Sequence, residues 1–453
     1  MRTVVIGAGP VGLFCAMSLA RSGHQVLVVD HDPPPPPTGT WRRRGVMQFN
    51  LPHFFRPIVR QVIVGSLPEL WEELVAAGGI PALMEGQPEE SAGLLCRRST
   101  FERVTWSIAA RETGLSLRTG HADRVLTDRG RVSGVTLDGA QVEADVVIVA
   151  AGRAGRIGEE HRPLGEGGNC GFSYAARMYR ARDGVEPPYS AFPMNALYQG
   201  YQAMVFPQDN RTLSALIVRP TAAHQLAPLR RVEYFETAAR HIPLLAPWTD
   251  LAQFEPITDV LAGCGLSNAY RGQLGGHSGA AAAGLFFVGD SVCTTNPAAG
   301  RGVSLGLRQG AELTRLLNAS GQGRDHRRDY LGVSQEFGSW CAENIRPWYD
   351  DHVYWDATLL ARLRGDDIDL DAPIPSDVIC AAAGVDPSIW GVAAPYLMMQ
   401  LPPTALRAVE DRARAVLRTG WRPPFAEGPS GGELAEILLE TTGTVPGAVP
   451  VVD

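Results

Sequence analysis

Residues 3–30 constrain the fold more than any other stretch of this chain. Thr3-Val-Val-Ile6 is a short buried-strand run, and Gly7-Ala-Gly-Pro-Val-Gly12 follows at once. Val11 to Ser22 then carries apolar residues at helical spacing (Val11, Phe14, Cys15, Leu19), stopped by Gly23. Gln25-Val-Leu-Val-Val-Asp30 is a second strand ending in an acid. A strand–turn–helix–strand unit implies a parallel sheet, because the helix is the crossover. Gly7 allows the tight turn, Gly9 lets the backbone approach a pyrophosphate, and Gly12 lets helix meet strand. The phosphate sits on the helix start at Pro10, Val11 and Gly12, where free N–H groups and the dipole favour an anion. Asp30 lies 18 residues beyond Gly12, where an acid can accept from a ribose 2′-hydroxyl. The unit reads as a Rossmann-type dinucleotide site.

The rest of the chain divides by style. Pro33 to Pro37 is a run of five prolines, a stiff extended spacer. Helices are expected over Leu67–Ala77 and Phe101–Arg111. Short β-like runs fill Leu115 to Val149, with a turn at Asp138-Gly139. Ala144 to Ala150 is a continuous apolar strand, as the middle of a parallel sheet requires. Beyond the glycine-rich joint Gly165–Gly171, strands are expected over Phe172–Arg180, Tyr201–Pro207 and Thr212–Arg219. Leu285 to Asp290 returns to the buried-strand style, and a helix is expected from about Val303 to Asn318. Residues 331–453 read as mostly helical, with Trp340, Trp348, Trp355 and Trp390.

A second motif lies near residue 290. Leu285-Phe-Phe-Val-Gly-Asp-Ser-Val-Cys-Thr-Thr-Asn-Pro-Ala-Ala-Gly-Arg-Gly302 is a strand with Asp290 at its tip, a loop, and a glycine-flanked helix start. With the first motif it resembles the FAD-dependent monooxygenases of the aromatic hydroxylase class, similar to para-hydroxybenzoate hydroxylase and the polyene epoxidases. The resemblance implies that Asp290 binds the ribityl chain, that Pro297 lies close to the isoalloxazine, and that Gly300, Arg301, Gly302 and Val303 face its N1–O2 edge. A helix N-terminus there stabilises the negative charge of reduced flavin. It also implies cofactor contacts from Arg98, Val125 and Gly152. Arg42-Arg-Arg-Gly-Val-Met-Gln48, with His53, resembles the segment that runs past the flavin. Arg43 or Arg44 would then contact the cofactor and the incoming nicotinamide, and Arg43, Arg44, Gln48, His53 and Pro297 are the candidates for catalysis.

Some residues depart from the class. Val149-Ala-Ala-Gly-Arg-Ala-Gly155 lacks the acid usual in that loop, although Gly152 and Arg153 remain. Gly302-Val-Ser-Leu-Gly306 satisfies the hydrolase pattern GxSxG, but no strand immediately precedes Ser304, so it reads as a helix residue. All 41 basic residues are arginine, which excludes Schiff-base chemistry, Walker-A phosphate binding and the lysine of flavin halogenases. The net charge of −7 argues against nucleic acid. Seven scattered cysteines with no CxxC pair, and ten histidines with no clustered ligand set, suggest reduced thiols and no metal. No apolar run reaches the ~18 residues that span a bilayer, and a cytoplasmic protein, monomer or homodimer, is expected.

The combined expectation is an α/β fold (α+β overall). Residues 1–164 and 281–330 form a discontinuous FAD-binding domain with a parallel sheet. Residues 165–280 form a mostly antiparallel substrate sheet, and 331–453 a helical C-terminal region. The substrate pocket is expected under the second sheet, among Phe172, Tyr174, Tyr201 and Phe206. With one nucleotide fingerprint, NADH or NADPH must bind transiently. As the resemblance implies, hydride reduces FAD, oxygen adds at C4a, and the hydroperoxide hydroxylates or epoxidises a hydrophobic aromatic, polyketide or polyene substrate of specialised metabolism such as antibiotic biosynthesis. The alternatives are an FAD dehydrogenase or reductase without oxygen insertion, and a non-catalytic flavoprotein partner.

Overall fold

The computed structural model describes residues 1–441 except 47, 84–85, 163, 189, 191, 274–281 and 321–328. The N-terminal unit forms β1 (Arg2–Ile6), α1 (Pro10–Arg21) and β2 (Gln25–Asp30). β1 lies at the centre of a five-stranded sheet, in the order Leu285–Phe287, Val146–Val149, β1, β2, Leu115–Thr119. Every pair is parallel. The runs of Val, Ile, Leu and Phe follow from burial on both faces, and Val146–Val149 is buried throughout. Leu285–Phe287 is shorter than the apolar run because Gly289, at φ +68°, turns the chain into a 3-10 segment at Gly289–Ser291.

Because the strands are parallel, the chain leaves β1, Val146–Val149 and Leu285–Phe287 along one edge. Two helices are pinned beside that edge. A Cβ at Gly306, on the helix Gly302–Ala319, would lie 2.5 Å from Cγ2 of Val11. One at Gly310 would lie 2.9 Å from Sγ of Cys15. Gly306 is therefore a packing glycine on a helix, and Ser304 is a buried helix residue rather than a nucleophile elbow.

The second sheet is antiparallel, in the order Met194–Tyr198, Tyr201–Gln208, Thr212–Pro220, Phe172–Ala181, Phe254–Pro256. Side chains alternate between its faces. Tyr201, Val205 and Ile217 face one core with the helix Val232–His241, while Phe172, Tyr174, Phe206 and Leu216 face another with Leu51 and Phe54. The C-terminal helices Tyr330–Asn344, Arg346–Leu363, Ser376–Ala382, Trp390–Leu397 and Arg407–Arg418 contribute mainly to the core of the parallel sheet. The last helix, Gly431–Leu439, crosses over, and its Leu434 and Leu438 enter the second-sheet core. A helix at Pro57–Ser66, not anticipated from the sequence, precedes the expected one, observed at Pro68–Ala76. All seven cysteines are free thiols, and no helix among the described residues is long and apolar enough to cross a membrane.

One buried carboxylate ties the second sheet to the start of the helix Arg98–Ala109. Asp209, fully buried in the turn after Tyr201–Gln208, accepts from the Arg97 N–H at 2.6 Å, from its guanidinium at 2.7 Å, and from Thr100 Oγ1 at 2.7 Å. Burial opposes the charge, but these donors outweigh it and hold the carboxyl below its ordinary value. The bonus it contributes is therefore complete above the ordinary Asp range of ~4 and is lost as pH falls through the lower folded value. Asp209→Ala, which leaves Arg97 half-buried and unpaired, is expected to cost about 3–5 kcal/mol in urea unfolding at pH 7. The difference from wild type should shrink as pH falls through that lower folded value.

Candidate active site

A cleft with two arms opens at the common edge. The long arm, a cavity of about 640 Å³, runs from Gly7 and Gly9 past Asp30 and Arg43 to His121, Arg124 and Arg153. The short arm lies between the start of the helix Gly302–Ala319 and the second sheet, walled by Leu51, Phe54, Phe55, Phe206 and Leu216. Gly9, Gln48, Arg98, Ala150, Gly152 and Asp290 line both arms, so the two are continuous.

The glycine turn is built by packing. Gly7 sits at φ +108°, and a Cβ there would lie 2.4 Å from the Ala150 carbonyl oxygen; one on Gly12 would lie 2.0 Å from that of Gly7. Gly9 differs. Its backbone is ordinary, φ −77° and ψ 177°, and a Cβ would meet nothing within 4 Å. Nothing within the fold itself requires glycine at position 9, which lines both arms of the cleft. Pro10 at the first helical position gives up no useful N–H, and the next amides at Val11 and Gly12 open onto the cleft. A pyrophosphate fits this cradle.

Asp30 anchors the turn. Its Oδ2 accepts from the Ala8 N–H at 2.6 Å and from Arg43, and its Oδ1 from the Asp32 N–H at 2.8 Å. A carboxylate offers about four acceptor sites, which leaves room for one further donor such as a ribose hydroxyl. Of Arg43 and Arg44, either of which was expected at the cofactor, Arg43 lines the long arm, where it donates to the Ala8 carbonyl at 3.0 Å, to Glu102 at 2.6 Å and to Asp30. Buried Glu102 also accepts from Arg98, aiming that side chain at the cleft. Arg44 lies outside the cleft: Asp32 holds the Arg44 and Gly45 N–H groups in a turn that leaves the side chain in solvent. Val125 is also outside, a buried core residue of the strand Ala122–Asp128.

The second motif meets the first across the cleft. Asp290, Pro297, Gly300, Arg301, Gly302 and Val303 all line the short arm. Gly300 is left-handed at φ +63°, which turns the loop into the helix, and a Cβ on Gly302 would lie 3.3 Å from Asp290 Oδ1. Burial raises the Asp290 carboxyl while Arg98, Arg153 and Arg271 pull it down. Gly152, at φ +72°, lines both arms although the acid beside it is missing. His53 and Gln48 line the short arm. Burial and Arg98 push the His53 pKa down to about 3 against the pull of the Leu51 carbonyl. The imidazole is neutral near pH 7, with Nδ1–H donating to that carbonyl at 2.9 Å. Of the four aromatics expected in the pocket, Tyr174 and Phe206 line it. Phe172 lies deeper in the same core, and Tyr201 points to the opposite face, its hydroxyl donating to the Pro429 carbonyl at 2.9 Å. Glu102 and Asp32, which the sequence did not single out, organise the arginines.

The profile of the FAD-dependent oxidoreductase family matches residues 2–88. No curated protein matches by sequence. Among solved structures, the chain is similar to PqsL, a probable FAD-dependent monooxygenase from Pseudomonas aeruginosa, at 16% identity and TM-score 0.58 over 81% of this chain and 97% of that one. It is similar to the myxobacterial chondrochloren halogenase CndH at 16% identity and TM-score 0.59, over 96% of this chain and 95% of that one. A putative FAD-containing monooxygenase from Photorhabdus luminescens aligns at 14% identity and TM-score 0.57, over 78% of this chain and 98% of that one. The N-terminal match is thus to the FAD-dependent oxidoreductase family over residues 2–88, and the solved structures share the fold of this chain.

The two glycines make opposite predictions. Gly7→Ala should destabilise the protein by at least about 2 kcal/mol, through strain and the clash with Ala150, as read by thermal unfolding of the apoprotein. Gly9→Ala should leave apoprotein stability within about 0.5 kcal/mol. It should weaken FAD binding at least about tenfold, or by 1.4 kcal/mol, in a flavin-fluorescence titration.

Proposed function

We propose that this protein is an NAD(P)H-consuming monooxygenase that hydroxylates or epoxidises a hydrophobic small molecule of specialised metabolism in the cytoplasm. The observation that carries the reading is the continuity of the two arms: a phosphate-binding helix start opens one, and an apolar pocket closes the other. FAD bound across them supplies oxygen activation at the expense of a nicotinamide. The remaining tasks fall to the chain. The amides at Val11 and Gly12 hold the pyrophosphate, Asp30 a ribose hydroxyl and Asp290 the ribityl chain. The free amides at the start of the helix Gly302–Ala319 face the ring, where they favour negative charge. Arg98, held by Glu102, keeps a cation between the arms.

The short arm belongs to the substrate. Its walls exclude water from the reacting region, while Gln48, Tyr174 and neutral His53 offer hydrogen bonds. We assign the cofactor to residues 1–164 and 281–330, and the substrate wall to the sheet within 165–280. PqsL has been crystallised in complex with 2-aminobenzoylacetate, which supports an aromatic compound for this arm. Halogenation through a lysine is excluded, since the chain has none.

The direct test is aerobic NADH and NADPH oxidation by the FAD-loaded protein with a panel of aromatic and polyketide compounds, with peroxide release followed in parallel. One compound class should accelerate oxidation and suppress peroxide. Electron exchange between flavin and the organic substrate without oxygen would instead make it a dehydrogenase. Asp290→Ala should strip or weaken FAD; a fully yellow mutant counts against the ribityl assignment. With the His53 pKa near 3, His53→Gln should leave the shape of the kcat/KM profile unchanged between pH 5 and 9.

A further inference from the structure

Behind the loop that faces the short arm stands a half-buried positive charge with no carboxylate in contact among the described residues. Arg56 donates through Nη2 to the Ala299 carbonyl at 2.7 Å and through Nη1 to the Leu397 carbonyl, and its buried Nε has no partner. Its guanidinium lies 5.5 Å from the centre of the Phe54 ring. Burial and neighbouring Arg301 bring its pKa down to about 10, so it remains a cation at neutral pH. Hydrogen bonds to two backbone carbonyls hold the guanidinium in place but leave its charge standing.

Arg301, in the same loop, is fully buried but compensated. It donates to Asp351 at 2.7 Å and to the Tyr396 hydroxyl, which itself donates to Asp351 at 2.8 Å. Its guanidinium lies 4.9 Å from the Trp348 ring and 5.1 Å from that of Trp355. Two other groups face this cluster. His352, 3.4 Å from Arg301, is held neutral by burial and by that cation. Asp356 lies beyond His352 and accepts from Asn268 and Asn296. The C-terminal helices thus cage one cation with its counter-charge and leave the other bare, both against residues 299–301.

We propose that Arg56 is a positioning residue that sets the redox potential of the bound flavin, and that Asp351 tempers the effect through Arg301. Two electrons and one proton convert oxidised flavin to an anionic reduced form. A cation fixed behind the N1–O2 side in a site of low dielectric favours that product over the oxidised form. The inference rests on the FAD reading above and assigns the C-terminal helices a task in it.

The test is the reduction potential of the FAD-loaded full-length protein, measured by dye equilibration in three variants. Arg56→Gln should weaken binding of reduced FAD at least tenfold relative to oxidised FAD, a potential about 30 mV lower for a two-electron couple. Arg56→Lys should recover most of the shift. Asp351→Asn, which bares Arg301, should move the potential the other way. A loop that merely loosened would not respond with opposite signs to the loss of a cation and of an anion. Should Arg56→Gln fail to hold FAD, the upward shift in Asp351→Asn decides. Potentials unchanged, or shifted in the same direction by both charge removals, overturn the proposal while leaving the flavoenzyme reading intact. Wild-type protein that binds no FAD overturns both.

Discussion

The close approach of α1 to the helix Gly302–Ala319 is the contact on which the rest of the molecule depends. Two helices can bring their starts to one point only if little lies between them, and Gly306 and Gly310 remove the side chains that would hold them apart from Val11 and Cys15. The turn beneath α1 obeys the same rule, with Gly12 against the Gly7 carbonyl and Gly7 against Ala150. Close packing of this sort tolerates no added methyl without movement. Two amide-rich helix starts therefore face one cleft, although nearly 300 residues separate them in sequence.

Arginine does the electrostatic work around that cleft. Arg43 is spent on structure, joining Asp30, Glu102 and the Ala8 carbonyl into a lock behind the glycine turn. Glu102 passes the constraint on to Arg98, which stands between the arms. The planar, multiply donating guanidinium suits these roles better than an ammonium would. His53, in contrast, is kept neutral by burial and Arg98, so it can orient a ligand by hydrogen bonding without adding charge.

Much of this was legible in the sequence because the constraints are local. A glycine at positive φ, a strand that ends in an acid and a proline at a helix start leave marks within a few residues, and both motifs were found that way. Facing was less well read, although the signal existed: Tyr201 and Phe206 are an odd number of residues apart on one strand, which sends them to opposite faces. The pairing of Arg43 with Glu102 and the exposure of Arg44 could not be seen, because they depend on Glu102 and Asp32, partners that only the fold brings near. The same holds for the last helix, whose Leu434 joins a core built some 200 residues earlier.

A single flavin closing both arms is measured most directly by a titration of the apoprotein with FAD, followed by absorbance and flavin fluorescence. Saturation at one FAD per chain, with the spectral shift of a ring leaving water, is the predicted result. Protein that stays colourless in excess FAD, with fluorescence no different from the free cofactor, would contradict it.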